Sequence, residues 1–165
     1  MERLWSPWRL AYVTASDKED GCVFCEARDA VDDPASLVVH RGTTCFVILN
    51  LYPYNNGHLM VVPNRHIAGL TAAEPTELDE MMQLTRLAEI ALTEAYAPHG
   101  LNMGINVGRP AGAGILDHLH LHIVPRWNGD TNFMTVVGEA RVMPEDLAQT
   151  VARLRPVFAR LAAGE

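Results

Sequence analysis

Asp117-His118-Leu119-His120-Leu121-His122-Ile123-Val124-Pro125-Arg126-Trp127 is the segment around which the rest of the chain can be read. Histidine alternates with an apolar residue three times. A period of two belongs to a β-strand, where alternate side chains share a face about 6.6 Å apart. His118, His120 and His122 are therefore expected on one face, with Leu119, Leu121 and Ile123 in the core. Three neighbouring imidazoles repel one another when protonated, so a triplet on one face points to chemistry more than to packing. A hydrolytic zinc held by all three does not fit. The outer two lie about 13 Å apart on a straight strand, against metal–nitrogen bonds of ~2.1 Å.

Upstream, Gly108 to Gly114 (Gly-Arg-Pro-Ala-Gly-Ala-Gly) is too glycine-rich for a helix or strand, and it separates a strand at Asn102–Val107 from one at Leu116–Val124. Before that, Pro75 to Tyr96 changes period. Pro75 suits a first helical position, Glu77, Asp79 and Glu80 sit at its positive end, and Leu78, Met81, Met82, Thr85, Ala88, Ala91, Leu92 and Ala95 form an apolar face. Pro98-His99-Gly100 ends it. Leu37–His40, Thr44–Leu49 and His58–Val62 read as three short antiparallel strands bounded by turn residues. Residues 29–35 read as a surface loop. A last helix is expected over 143–163, opening near Pro144, carrying Leu147, Val151, Leu154, Phe158 and Leu161, and kinked at Pro156. Residues 1–21 form an arm in which Trp5 and Trp8 are too large to leave in water. The pattern is α+β: one domain over residues 1–165, with an antiparallel sheet of about five strands, a long helix and a C-terminal helix.

The 165 residues are one domain's worth of chain, and 48% apolar with 20% charged residues is ordinary for a globular protein. The net charge of −7 disfavours long nucleic acid as a partner, since that usually requires a basic surface. A short phosphorylated ligand remains compatible, because a few local donors can hold it. No apolar run reaches membrane-spanning length, no secretory signal is evident, and three cysteines form no disulfide framework. A cytoplasmic location and no membrane partner are expected.

Cys22-Val23-Phe24-Cys25 has zinc-knuckle spacing but supplies only half of a four-ligand site. A redox pair would need a thioredoxin-like setting, which the pattern lacks. Any further ligands would have to be histidines. Cys45, in an apolar strand, reads as a small buried hydrophobe.

His118-Leu-His120-Leu-His122-Ile-Val resembles the mark of the histidine triad family, in which three histidines alternate with apolar residues. The similarity extends to Asn50 followed by Gly57-His58-Leu-Met-Val-Val-Pro63, and to the glycine-rich loop before the triad. Trp5-Ser-Pro-Trp-Arg, Gly112-Ala-Gly-Ile and Pro125-Arg-Trp-Asn-Gly-Asp130-Thr-Asn-Phe-Met resemble its bacterial diadenosine tetraphosphate phosphorylase branch. Together these cover about residues 1–145.

The resemblance implies a histidine-triad fold and attack by His120 on the α-phosphorus of a nucleotide, giving a nucleotidyl-histidine that phosphate or water then discharges. For Nε2 to attack, Nδ1 should hold the proton and donate it, with a backbone carbonyl on a nearby strand as the expected acceptor. His122 would donate to phosphate oxygens and His58 would support the triad. Asn50 would contact ribose, Asn106 phosphate or ribose, and Gly112, Ala113 and Gly114 would offer backbone N–H groups to phosphate. Trp127 would lie near the substrate or anchor the core. Some relatives carry serine or glutamine where this chain has Gly114 and Ile115, which leaves the acceptor open.

A structural zinc is implied on Cys22, Cys25, His66 and His118, and no organic cofactor. The implied partners are a purine nucleotide or dinucleoside polyphosphate, inorganic phosphate, and a second copy in a homodimer, with the arm and the Pro75 helix as candidate interface pieces. Phosphorolysis of diadenosine tetraphosphate leads. Hydrolysis of such dinucleotides or of nucleoside phosphoramidates is the alternative, and a nucleotide-binding interaction module is a third reading.

Overall fold

The computed structural model describes residues 21–31, 33, 35–130 and 145–164. The tryptophan arm and Pro144 lie outside them. Five strands, β1 (Val38–Arg41), β2 (Cys45–Leu49), β3 (Leu59–Pro63), β4 (Gly100–Ile105) and β5 (Leu121–Arg126), form one antiparallel sheet in the order β1-β2-β3-β5-β4. The helices are α1 (Val23–Asp29), α2 (Pro75–Tyr96) and α3 (Leu147–Ala162). The expected α+β architecture is present. No helix among the described residues is long and apolar enough to cross a membrane.

Strand alternation sorts the side chains into two layers. Cys45, Val47 and Leu49 of β2, Leu59 and Val61 of β3, and Leu121 and Ile123 of β5 pack with Met81, Ala88 and Leu92 of α2 and Leu154 and Phe158 of α3. Each large side chain buried there contributes about 1.5–3 kcal/mol. The opposite face carries Phe46, Ile48, Met60 and Val62, covered by Phe24 of α1. Cys45 is fully buried, as expected, and burial pushes its thiol up to about 11.

Glu74 and Glu77 form a capping box at the start of α2. The buried Glu77 also accepts two bonds from Arg65, at 2.7 and 2.6 Å. Glu80 reaches the β1–β2 turn, where it accepts from the Thr43 and Cys45 amides at 2.7 and 2.8 Å and from the Thr44 amide and hydroxyl. The apolar face of α2 holds Met81, Leu84, Thr85, Ala88, Ala91 and Leu92, whereas Met82, expected there, is 60% exposed. Gly57 closes the β2–β3 turn at φ +72°, and a Cβ there would sit 3.0 Å from Leu92 Cδ2.

Helix α1 is an addition, since the sequence pattern assigns no element to residues 22–28; it has seven residues and one buried anchor, too short to show a period. Two expectations need correction. Helix α3 starts at Leu147, capped by Asp146, which accepts from the Gln149 amide at 2.8 Å, and it continues through the exposed Pro156. The β5 ladder begins at Leu121, not Leu116. Its neighbours end there: Ile105 and Val61 are the last residues paired with it, both opposite Leu121. Pro63 has no N–H to extend the ladder, and its carbonyl is taken by the His118 side chain. The Leu119 amide bonds instead to Ile67 O, at 2.6 Å.

Candidate active site

Residues opposite one another in an antiparallel ladder face the same way. His122 pairs with Met60 on β3 and with Gly104 on β4, so it stands on the sheet face that α1 covers. His118 and His120 precede the ladder yet keep the alternation. Both pack against the Phe24 ring, with centroids at 5.4 and 5.1 Å, while Leu119 is buried in the opposite core. The rings of His120 and His122 are edge-to-face at 4.8 Å. The expected single face of histidines is therefore formed.

Hydrogen-bond partners decide which nitrogen carries each proton. His120 Nδ1 lies 2.9 Å from the His118 carbonyl, which can only accept. Nδ1 is thus the N–H, and the neutral ring keeps its lone pair on Nε2. The acceptor is the carbonyl two residues back, not one on a neighbouring strand. Next to it, the Tyr54 amide donates to His58 Nδ1 at 3.1 Å, so His58 carries its proton on Nε2. That nitrogen is 3.0 Å from His122 Nδ1 and donates to it. The proton of His122 is therefore on Nε2. Adjacent imidazoles are fixed as a lone-pair nitrogen on His120 and an N–H donor on His122.

Burial disfavours the charged forms of His58 and His120. His58 is fully buried, and desolvation, with His122 and His120 nearby, pushes its pKa down to about 3. Burial also lowers the pKa of His120, offset in part by its bond to the His118 carbonyl. A neutral nucleophilic nitrogen beside an N–H donor can attack an electrophilic phosphorus while its oxygens are hydrogen-bonded.

Cys22, Cys25, His66 and His118 form a second cluster, their ligand atoms all within 4.8 Å of one another. Cys22 caps α1 and Cys25 lies three residues on, a spacing that puts both sulfurs on one helix face. His118 Nε2 donates to Pro63 O at 2.8 Å, which leaves the Nδ1 lone pair toward Cys22 Sγ at 3.2 Å and Cys25 Sγ at 3.7 Å. His66 Nδ1 is 3.4 Å from Cys25 Sγ. Two thiols and two imidazoles this close together could hold a tetrahedrally coordinated metal ion, and one of the imidazoles is oriented by a backbone carbonyl.

Asn50 sits beside this machinery. Its Nδ2 is 3.4 Å from His58 Nδ1, and its Oδ1 accepts from the Tyr52 amide at 3.0 Å. Asn106 lines a cavity with His122. The glycine-rich loop behaves otherwise: the Gly112 amide donates to Arg109 O at 3.0 Å and the Ala113 amide to Gly108 O at 3.3 Å. Those two N–H groups brace the loop itself, with Gly112 at φ +91°. Gly114 precedes Ile115, which packs against the Phe24 cluster. Trp127 is half-buried in the turn that Asp130 closes, and it is not among the residues lining the cavity beside His122.

Sequence reasoning missed Tyr54, whose amide sets the His58 tautomer and whose ring lies 4.8 Å from that of His58. It also missed Phe24, the ring against which His118 and His120 rest. Neither has a local signal beyond being aromatic.

The HIT domain model matches residues 33–129. Over 168 positions the chain is 39% identical to a Mycobacterium tuberculosis protein named AP-4-A phosphorylase, covering 97% of this chain and 86% of that one. Among solved structures, a zinc-bound histidine triad family protein from Mycobacterium smegmatis aligns at TM-score 0.70 and 29% identity over 91% of this chain and 99% of its own. A hypothetical histidine triad nucleotide-binding protein from Sulfolobus tokodaii aligns at TM-score 0.69 and 27% identity, over 85% and 93%. The alternation of histidines about residue 120 thus has its explanation: this chain belongs to the HIT domain family.

Proposed function

We propose that the chain is a nucleotidyltransferase that cleaves dinucleoside polyphosphates, diadenosine tetraphosphate foremost, by phosphorolysis. The observation that carries this reading is the hydrogen-bond chain that leaves a lone pair on His120 Nε2 beside an N–H on His122 Nε2. His120 Nε2 attacks the α-phosphorus, an N–P bond forms, the P–O bond to the bridging oxygen breaks, and ATP leaves. The Nδ1 proton stays on the ring, where the His118 carbonyl stabilises the positive charge of the adenylylated imidazole. His122 donates to the phosphoryl oxygens and His58 holds it in that tautomer. Inorganic phosphate then attacks the same phosphorus, breaks the N–P bond and leaves as ADP. The balance is diadenosine tetraphosphate plus phosphate giving ADP and ATP. The named activity of the mycobacterial relative supports this choice of substrate and acceptor.

Asn50, beside His58, is assigned to ribose, Asn106 to phosphate or ribose, and the Gly114 end of the loop to phosphate. Zinc is assigned to Cys22, Cys25, His66 and His118. Four protein ligands fill its coordination, so its role is to pin α1 to the triad segment, which sets Phe24 against His120. The zinc-bound mycobacterial neighbour supports this metal. A homodimer is supported by apolar residues exposed on α2 (Met82, Ile90) and on the edge strand β4 (Met103). All three cysteines are free, which fits a reducing cytoplasm.

Incubation with diadenosine tetraphosphate, with and without phosphate, tests the reading. Phosphate-dependent formation of ADP with ATP is expected. AMP with ATP, regardless of phosphate, would assign the protein to hydrolysis instead.

A further inference from the structure

Beyond His122 the triad's face continues. His122, Val124 and Arg126 share one side of β5, and their ladder partners on β4 are Gly104, Asn102 and Gly100. Two of those three partners are glycine. Among the described residues, a Cβ at either Gly100 or Gly104 would meet nothing within 4 Å, so these glycines avoid no clash with them. What they leave is a trough floored by backbone, the kind of strand glycine that lets a ligand approach closely. The trough belongs to a cavity of about 350 Å³ whose lining includes Tyr54, Asn102, Asn106, His122, Arg126 and Asp130.

Arg126 is the one lysine or arginine among the described residues of that lining, and it is held in place. Its Nε and Nη2 donate to Asp130 at 2.6 and 2.9 Å, and Nη1 donates to Asn102 Oδ1 at 2.8 Å. Asp130 is steadied by the buried Asn55 at 2.9 Å, which is itself bonded to Pro125 O. The guanidinium is thus oriented before any ligand arrives, with about two of its five N–H donors beyond these three bonds. Its Cα is about 13 Å along the strand from that of His122. That span fits a chain of phosphates better than a single one.

We propose that this trough holds the phosphates on the leaving side of the scissile phosphorus, and that Arg126 determines specificity for a polyphosphate leaving group. The inference rests on the proposed function. His120 attacks from one side and the leaving chain departs from the other. The acceptor phosphate enters along the line so vacated, so both anions present the same phosphoryl oxygens to the trough.

The test compares the wild type with Arg126→Ala, Arg126→Lys and Asn102→Ala on diadenosine tetraphosphate and on adenosine 5′-phosphoramidate, which lacks distal phosphates. Using both substrates on one preparation cancels any unfolded fraction. For Arg126→Ala, the ratio of kcat/KM for the tetraphosphate to that for the phosphoramidate is expected to fall about tenfold or more, the scale of a lost charge-assisted hydrogen bond. Arg126→Lys, which keeps the charge without the fork, and Asn102→Ala, which loosens it, should fall between. A parallel titration with inorganic phosphate separates the sources: a changed ratio assigns the trough to the leaving chain, and a raised KM for phosphate alone assigns it to the acceptor. A ratio within about threefold of wild type in Arg126→Ala overturns the proposal, whatever happens to the KM for phosphate. A wild-type protein that turns over neither substrate would instead overturn the functional reading.

Discussion

Replacing His58 by phenylalanine and measuring stability at two pH values tests the electrostatics of the site without any substrate. His58 is fully buried and its pKa is pushed down to about 3, against about 6.5 in an unfolded chain. Between those values the unfolded state binds a proton that the folded state does not. Stability therefore falls as pH drops through 6.5 and keeps falling toward 3. At pH 5 the loss from this one group is RT ln(1 + 10^1.5), about 2 kcal/mol, and it hardly changes if the folded value is 4 instead. Phenylalanine keeps a ring of similar size and removes the titration. It also leaves the Tyr54 amide without its acceptor, a cost of about 1–3 kcal/mol that does not depend on pH. Urea unfolding at pH 7.5 should therefore find His58→Phe less stable than wild type by that amount. At pH 5 the gap should close by about 2 kcal/mol, because only the wild type pays the proton penalty. The carboxylates and the Cys–His cluster titrate in both proteins and cancel in the difference. A gap of equal size at both pH values would refute the assignment of His58 as a buried, neutral donor.

Removing the Cys25 thiol should abolish the proposed zinc binding at Cys22, Cys25, His66 and His118. Wild type grown with zinc is expected to carry about one zinc per chain by elemental analysis, and Cys25→Ser far less, with a melting temperature lower by ~2–4 °C for each kcal/mol lost. Gly57→Ala puts a Cβ at φ +72° and 3.0 Å from Leu92, so urea unfolding should show a loss of at least about 1–2 kcal/mol. Glu80→Gln turns an NH2 toward the amides of the β1–β2 turn and should destabilise the fold by about 1–3 kcal/mol in the same assay.

The histidine face, α2 and the Cys22–Cys25 pair are readable because each is written in local spacing: a period of two, a period near 3.6, and two cysteines three apart; His66 and His118 joined that pair only through the family resemblance. What sequence could not show arises from contacts between distant segments. Helix α1 exists because Phe24 finds the pocket formed by Phe46, Ile48, Met60 and Val62, not because its seven residues declare a helix. The start of β5 is set by where β3 and β4 end, at Pro63 and Ile105. The glycine-rich loop looked open, yet the Gly112 and Ala113 amides close on the carbonyls of Arg109 and Gly108. The link from Asn55 to Asp130 joins residues 75 positions apart. Met82 matched the apolar spacing of α2 but lies just off the stripe that Met81, Thr85, Ala88 and Leu92 bury.

The most direct measurement is of the covalent intermediate. Enzyme mixed with diadenosine tetraphosphate in the absence of phosphate, quenched under alkaline denaturing conditions that spare a phosphorus–nitrogen bond, can be peptide-mapped by mass spectrometry. The account predicts one AMP on the peptide that contains His120, assigned to that residue by fragmentation, absent in His120→Ala, and discharged as ADP when phosphate is added before the quench. Rapid turnover with no adduct, or an adduct on His122 or His118 instead, would contradict it.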